Sequence, residues 1–344
     1  MDMNERKIKI LEAIIHDYIK TGDPVGSRTL SKHYDLGISS ATIRNEMSDL
    51  EELGFIVQPH ASAGRVPSDQ GYRLYVDQFM QTPEIPRDVE QVIAKMLGDR
   101  IHKIDALLDE AATLMSMMTN YAIVGSMPSI IETKIKHLQL VPVDERSVAF
   151  VIVTDTNLVK HHVIPTRTPF DTELCIEVSS LLNKTLSGMS LNELDLEKMQ
   201  PLEEQLSEHK GMIVELLKAL TITLQEETHA TVFTRGLNKM LNFQEFSDIE
   251  KAKKLFELLE EKPHLTKLLK PSNTNEITIS IGEENVLEPM KQCSVITSTY
   301  RIGGYHLGTI GIIGPTRMNY GEVVALSTHI SHYITNLIKK MNDS

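Results

Sequence analysis

The chain has 344 residues, 41% of them hydrophobic, with a formal net charge of −12. This is long enough for one to three packed domains, yet no apolar run reaches the roughly 20 residues that would cross a bilayer, and MDMNERKIKI at the start lacks the apolar centre of a signal peptide. A cytoplasmic protein with no membrane partner is expected, and the acidic balance limits non-specific attraction to nucleic acid without forbidding a local basic surface.

Asn4 to Lys20 reads as a first helix, with Ile8, Leu11, Ile14, Ile15, Tyr18 and Ile19 on its apolar face. Gly22-Asp23-Pro24 breaks it. Ser27 is a candidate N-cap for a short second helix, SRTLSKHY. Leu36-Gly37-Ile38-Ser39 is a tight turn, and a third helix follows. Its Ile43, Met47, Leu50 and Leu53 recur at helical spacing and line one face. Ala41, Asn45 and Ser48 fall on the opposite face, with Arg44 at its edge. A helix that only covers a core does not need so lean an outer face. A helix entering a DNA major groove does, because small residues allow close approach and Arg, Asn and Ser bond base edges and phosphates. Gly54 ends the helix, Phe55-Ile56-Val57 reads as a short strand, and Ala63-Gly64-Arg65 as a hairpin tip carrying a cation. The order helix, helix, turn, helix, hairpin is that of a winged helix-turn-helix. The alternative is a three-helix packing module with no DNA role. The first eighty residues are not net basic, so the DNA reading rests on where Arg28, Lys32, Arg44 and Arg65 sit.

The stretch ISSATIRNEMSDLEELGFIVQPHASAGRVPSDQGYRLYVD resembles the signature region of the HrcA family of heat-inducible transcription repressors. SRTLS, the SSATIRNEM helix, the LEELG exit, the HASAGRVPSDQGYR wing and the following YVD carry the resemblance. It implies a homodimeric repressor of the groE and dnaK chaperone operons that binds double-stranded DNA at the inverted-repeat CIRCE operator. It also implies that the GroE chaperonin keeps the repressor active until heat shock draws the chaperonin away. By motif position and helical-wheel geometry, Ser39, Ser40, Thr42, Arg44, Asn45 and Ser48 are expected on the groove side. Arg28, Thr29 and Lys32 are expected at phosphates, and His60, Ser62 and Arg65 in the wing.

Gly71 to Val76 suggests a further helix, whose Tyr72 either packs or touches DNA. Two prolines mark a linker at Gln81 to Pro86. Val89 to Asn120 reads as helical, with Met115 to Met118 as core filling. From Lys134 the period changes: KIKHLQLVPV, SVAFVIVTD and LVKHHVI read as three strands, and a helix follows from Asp171 to Leu186. EITISIG, QCSVITSTYRI and YHLGTIGIIGP read as later strands, with Gly303-Gly304 as a hairpin turn and Val323 to Lys339 as a closing helix. An antiparallel sheet flanked by helices is α+β. With the family resemblance it suggests a GAF-like domain split by an insertion. Within that insertion Met212 to Thr228 is amphipathic, either packed on its own chain or, as the resemblance implies, dimerising. The expected division is 1–80 winged-helix domain, 81–105 linker and connecting helix, 106–188 first GAF-like part, 189–246 inserted dimerisation subdomain and 247–344 second GAF-like part.

Catalytic chemistry finds no support. His161 and His162 are strand neighbours and point to opposite faces, so they do not share a metal. There is no phosphate-cradling glycine loop and no nucleophile motif, and Asp155, Glu283 and Glu284 read as solvated turn residues. Cys175 and Cys293 lack metal or redox spacing and read as buried thiols. No cofactor and no enzymatic activity are expected. A second possibility is a metabolite-responsive regulator whose GAF-like domain holds a ligand.

Overall fold

Asn4 starts the first helix by accepting from Lys7 N at 2.9 Å, and Gly22, in the left-handed region at φ 74, closes it, so α1 runs Glu5–Thr21. The structure is a computed structural model and describes residues 3–98, 104–126, 134–155, 159–166, 169–190, 232–269, 276–302 and 305–343. Ile10, Leu11, Ile14 and Ile15 of α1 are fully buried. Helix α2 is Ser27–His33, and its N-cap is Gly26 rather than Ser27, with no side-chain capping bond. Helix α3, Ser40–Glu52, starts on Ser39, whose hydroxyl accepts from Thr42 N at 3.2 Å. Its Ile43, Met47 and Leu50 are buried as the spacing requires. Two short strands, β1 (Ile56–Val57) and β2 (Val66–Pro67), pair antiparallel as a hairpin.

The hairpin tip differs from its expected form. Gln58 Nε2 donates to Ala61 O and Ala63 O and closes the loop. Arg65 lies on the return limb, in a backbone bridge with Val25 through two 2.8 Å hydrogen bonds. Ser68 then caps α4 (Asp69–Gln78).

Two compact units account for the chain. The first joins residues 1–125 to 233–299 and 309–334; the second joins 126–232 to 300–308 and 335–344. The helix expected over Val89 to Asn120 is two helices, α5 (Arg87–Leu97) and α6 (Ile104–Thr119), because Gly98 leaves helical geometry with ψ −168. Met115 is buried, but Met117 is 59% exposed, so the methionine run fills the core only in part. Tyr72 is buried beside Tyr320, with ring centroids 5.7 Å apart, and packs rather than facing outward.

The class is α+β with more than one sheet, where a single antiparallel sheet was expected. Strands β4 (Ile135–Asp144), β5 (Ser147–Thr154) and β6 (Val159–Pro165) form a three-stranded antiparallel sheet in the second unit. Its inner face packs Leu138, Leu140, Phe150 and Ile152 against Cys175, Val178 and Leu182 of α7 (Thr172–Leu186). The other sheet has five strands. It takes β3 (Ala122–Ser126), β7 (Val232–Arg235), β8 (Ile277–Ile281), β9 (Cys293–Ile302) and β10 (Tyr305–Pro315) in the order β7-β3-β10-β9-β8. Strand β3 was not expected. All five of its residues are buried, so it shows none of the alternation that marks a half-exposed strand. Helices α8 (Ile249–Glu260), α9 (Lys262–Leu268) and α10 (Tyr320–Asp343) complete the α-helices among the described residues. The Gly303-Gly304 turn and the amphipathic stretch 212–228 lie outside the described residues.

Candidate DNA interface

Helix α3 presents the expected outer face. Arg44, Asn45 and Ser48 are exposed, and among the described residues their side chains have no hydrogen-bond or ion-pair partner. The same holds for Arg28 and Lys32 on α2 and for His60 and Ser62 in the hairpin loop. Thr29, Ser40 and Thr42 are half-buried. Ser39 and Thr42 bond each other, Oγ to Oγ1 at 2.9 Å, so these two hydroxyls fix the start of the helix.

The acids of α3 are held from the inner side. Lys7 of α1, whose side chain is 7% exposed, places Nζ 3.0 Å from both Glu46 Oε2 and Asp49 Oδ2. The hydrogen bonds that Lys7 donates to Asp49 and then to Glu46 raise its ammonium above the ordinary lysine value. Arg6 Nη1 approaches Glu46 Oε1 at 3.4 Å. Arg65, expected as an outward wing cation, instead donates from Nε to Glu51 Oε2 at 2.9 Å, with Nη2 in ionic contact with the same oxygen at 2.8 Å. Its backbone bridge to Val25 holds the side chain over the end of α3. Asp35 in the turn and Glu52 at the helix exit remain exposed and without partners among the described residues.

The result is a charge separation. A carboxylate within about 10 Å of a phosphate repels it under physiological salt, and here three of the four α3 acids are paired with a cation, two of them with the same Lys7. Arg28, Lys32 and Arg44 keep their charge available. The local surface is therefore more favourable to a polyanion than the net charge of the chain suggests. The sequence reading missed Lys7 and Arg6 as contributors; Lys7 offered one signal, a cation on the otherwise apolar side of α1.

Comparison with known proteins decides the family. The family model described as HrcA protein C terminal domain matches residues 105–324. The heat-inducible transcription repressor HrcA of Lachnoclostridium phytofermentans is 43% identical over 347 residues, spanning 100% of both chains. The chain belongs to the HrcA family.

Among further HrcA relatives, the heat-inducible transcription repressor of Clostridium acetobutylicum is 39% identical with full coverage of both chains. That of Alkaliphilus metalliredigens is 40% identical over 98% of this chain and 99% of its own. A crystal structure titled as a hypothetical protein matches with a TM-score of 0.64 and 25% identity, covering 99% of this chain and 100% of the other. HrcA proteins are a family of transcription repressors, which is not an enzyme class. No helix among the described residues is long and apolar enough to cross a membrane. His162 is buried and His161 exposed, on opposite faces of β6, and no group of acids, histidines and cysteines among the described residues could hold a metal.

Proposed function

We propose that this protein is a cytoplasmic, heat-inducible, DNA-binding transcription repressor that reads an inverted-repeat CIRCE operator as a homodimer. Residues 1–80 act as a winged helix-turn-helix. Helix α3 enters the major groove with Arg44, Asn45 and Ser48, supported at its start by Ser39, Ser40 and Thr42. Arg28, Thr29 and Lys32 hold phosphates beside it, and His60 and Ser62 reach DNA from the wing. Arg65 serves the interface indirectly, by neutralising Glu51. The observation that carries this reading is the unpartnered face of α3 set against acids that are all but one tied inward.

The body is GAF-like in this reading and holds the two heads at the separation of two half-sites. In this reading 189–246 is a dimerising insertion, as the resemblance implies, and most of it is outside the described residues. The described part of the second unit supports a somewhat larger interface region. The outer face of its three-stranded sheet carries Val141, Val159 and Val163, 44%, 60% and 57% exposed, an apolar surface suited to another copy. The GroE chaperonin keeps the dimer active, and its withdrawal on heat shock releases the groE and dnaK operons.

Band-shift titration with a palindromic chaperonin-operon operator tests the proposal. Binding by the wild type with loss in Arg44→Ala supports it. Equal binding by Arg44→Ala and the wild type removes α3 as the reader.

One observation favours the second reading, a ligand-responsive regulator. A cavity of about 430 Å³ lies in the first unit beside β8 and β9, lined by Lys267, Thr278, Ser280, Leu287, Val295 and Thr297. A metabolite seen at high occupancy by native mass spectrometry would promote that reading over a purely chaperonin-controlled repressor.

A further inference from the structure

Helix α4 is gripped on two sides, over its first half. At its start it is fixed to the exit of α3: Ser68 Oγ donates to Gly54 O at 2.5 Å, Ser68 N donates to Phe55 O at 3.0 Å, and Gly71 lies so close that a Cβ would stand 2.1 Å from Phe55 O. Along one face it is fixed to the corner after β8. Arg73 donates from Nε to Glu284 Oε1 at 2.8 Å and from Nη2 to both Glu284 Oε2 and Ile279 O, the last at 2.7 Å. One turn earlier, Asp69 Oδ2 accepts from Glu283 N at 2.9 Å. That contact needs the bare, left-handed Gly282, φ 53, where a Cβ would stand 1.9 Å from Asp69 Oδ2. Glu284 is itself oriented by Ile281 N, which donates to Oε2 at 2.8 Å. Between the two polar contacts Tyr72 is buried against Tyr320.

A bidentate guanidinium–carboxylate pair fixes direction as well as distance. Here it is reinforced by a backbone carbonyl and by a second contact one helical turn away. α4 therefore transmits the orientation of β8 and its following corner to the exit of α3. A hinge between reading head and body would need a connector able to bend, and α4 is bound on both sides instead.

We propose that Arg73, with Asp69 and Glu284, is the positioning element that sets which half-site spacing the repressor accepts. This rests on the reading of α3 as the DNA-reading helix of a homodimer. With α4 clasped, each head moves only together with the first unit, which narrows the separations and helical phases at which two heads meet two half-sites. Heads on loosened connectors tolerate other separations and lose the advantage of pre-organisation. Arg73 makes no contact with DNA in this scheme, and its effect falls on geometry alone.

The test uses the full chain with Arg73→Met and Arg73→Lys. Binding is measured to the natural inverted repeat, to repeats with the spacer changed by one or two base pairs, and to a single half-site duplex. The wild type is expected to prefer the natural spacing by about tenfold or more, and Arg73→Met to reduce that preference below about threefold. Arg73→Met should bind the single half-site as the wild type does, and Arg73→Lys, with its charge but no fork, should fall between. A wild-type spacing preference in Arg73→Met overturns the proposal. So does a loss on the single half-site equal to the loss on the repeat, since that would mark a general folding defect.

A second measurement needs no DNA. Spin labels at Glu52→Cys and Val286→Cys, with labelled chain diluted in unlabelled, report the head-to-body distance within one chain; Cys175 and Cys293 are buried. The distribution is expected to broaden in Arg73→Met. If the wild type binds no operator, the repressor reading fails while this measurement still judges the clasp, and an unchanged distribution overturns it.

Discussion

Lys7 Nζ stands 3.0 Å from Glu46 Oε2, linking the first turn of α1 to the middle of α3. The same ammonium holds Asp49, so one nearly buried cation covers two acids on the helix proposed to read DNA. Replacing it by a residue of similar length, Lys7→Met, leaves both acids within repelling range of a phosphate backbone, with only Arg6 near Glu46. Operator affinity is expected to fall about tenfold near 50 mM salt and to recover toward the wild type as salt rises, because the added repulsion is screened. Lys7→Met combined with Glu46→Gln should regain part of the loss. Fluorescence anisotropy across a salt series measures this, and a deficit of constant size at every salt concentration would point to misfolding instead.

Arg65 and Glu51 offer a contrasting case. Arg65 is tied to Glu51 by one hydrogen bond and a second ionic contact and by its backbone to Val25, so its removal is expected to act through Glu51. Arg65→Met should lower the stability of the head by up to about 1 kcal/mol, the scale of a partly exposed ion pair, and weaken operator binding. Adding Glu51→Gln should restore most of the binding. If the double variant binds no better than Arg65→Met, Arg65 touches DNA directly.

What the sequence made legible follows from how far apart the partners lie. Helix α3 was readable because Ile43, Met47 and Leu50 repeat at local helical spacing, and β5 because its short run is rich in β-branched residues. Strand β3 was not readable: buried along its whole length, it carries no period of two. The ion pairs were hidden for another reason. Glu51 and Arg65 are 14 residues apart and meet only when the hairpin folds back, and Arg73 and Glu284 are 211 apart. Charge composition shows that such residues exist but not which of them neutralise one another. Arg65 therefore read as an outward cation and Glu284 as a solvated turn acid, while Arg44 was placed on the outer face by geometry that is wholly local.

Gly71 tests the close approach of α4 to the exit of α3. A Cβ there would meet Phe55 O at 2.1 Å, a backbone atom that no side-chain rotation relieves. Gly71→Ala is expected to cost about 1–3 kcal/mol, the range for overpacking a rigid site, despite the higher helix propensity of alanine. Gly26→Ala is the control, because its nearest neighbour outside the adjoining residues is Thr29 Oγ1 at 3.9 Å. It should cost only about 0.5–1 kcal/mol, the margin by which glycine exceeds alanine as an N-cap. Chemical denaturation midpoints of the two variants compare them directly, and equal midpoints would contradict the packing.

The clasp of α4 also carries a pH dependence of known sign. Burial disfavours the charged form of Glu284, but the bonds from Arg73 and from Ile281 N outweigh it, and the carboxyl ends below its ordinary value of 4.5. Arg73 stays protonated throughout and is raised further by Glu284. A carboxyl whose value is lower in the folded state than in the unfolded one contributes stability above the unfolded value. That contribution is lost as pH falls through the folded one. The clasp is thus complete at neutral pH and weakens only below about pH 4.5. Glu284→Gln, which lacks the charge at every pH, is expected to melt below the wild type at pH 7. The gap between them should narrow as acid protonates Glu284 in the wild type, and salt should reduce the gap at pH 7 because the pair is partly exposed. Thermal melts of both proteins from pH 7 down to pH 3 follow this, and a gap that stays constant over the range would show that the charge on Glu284 contributes nothing to the docking of α4.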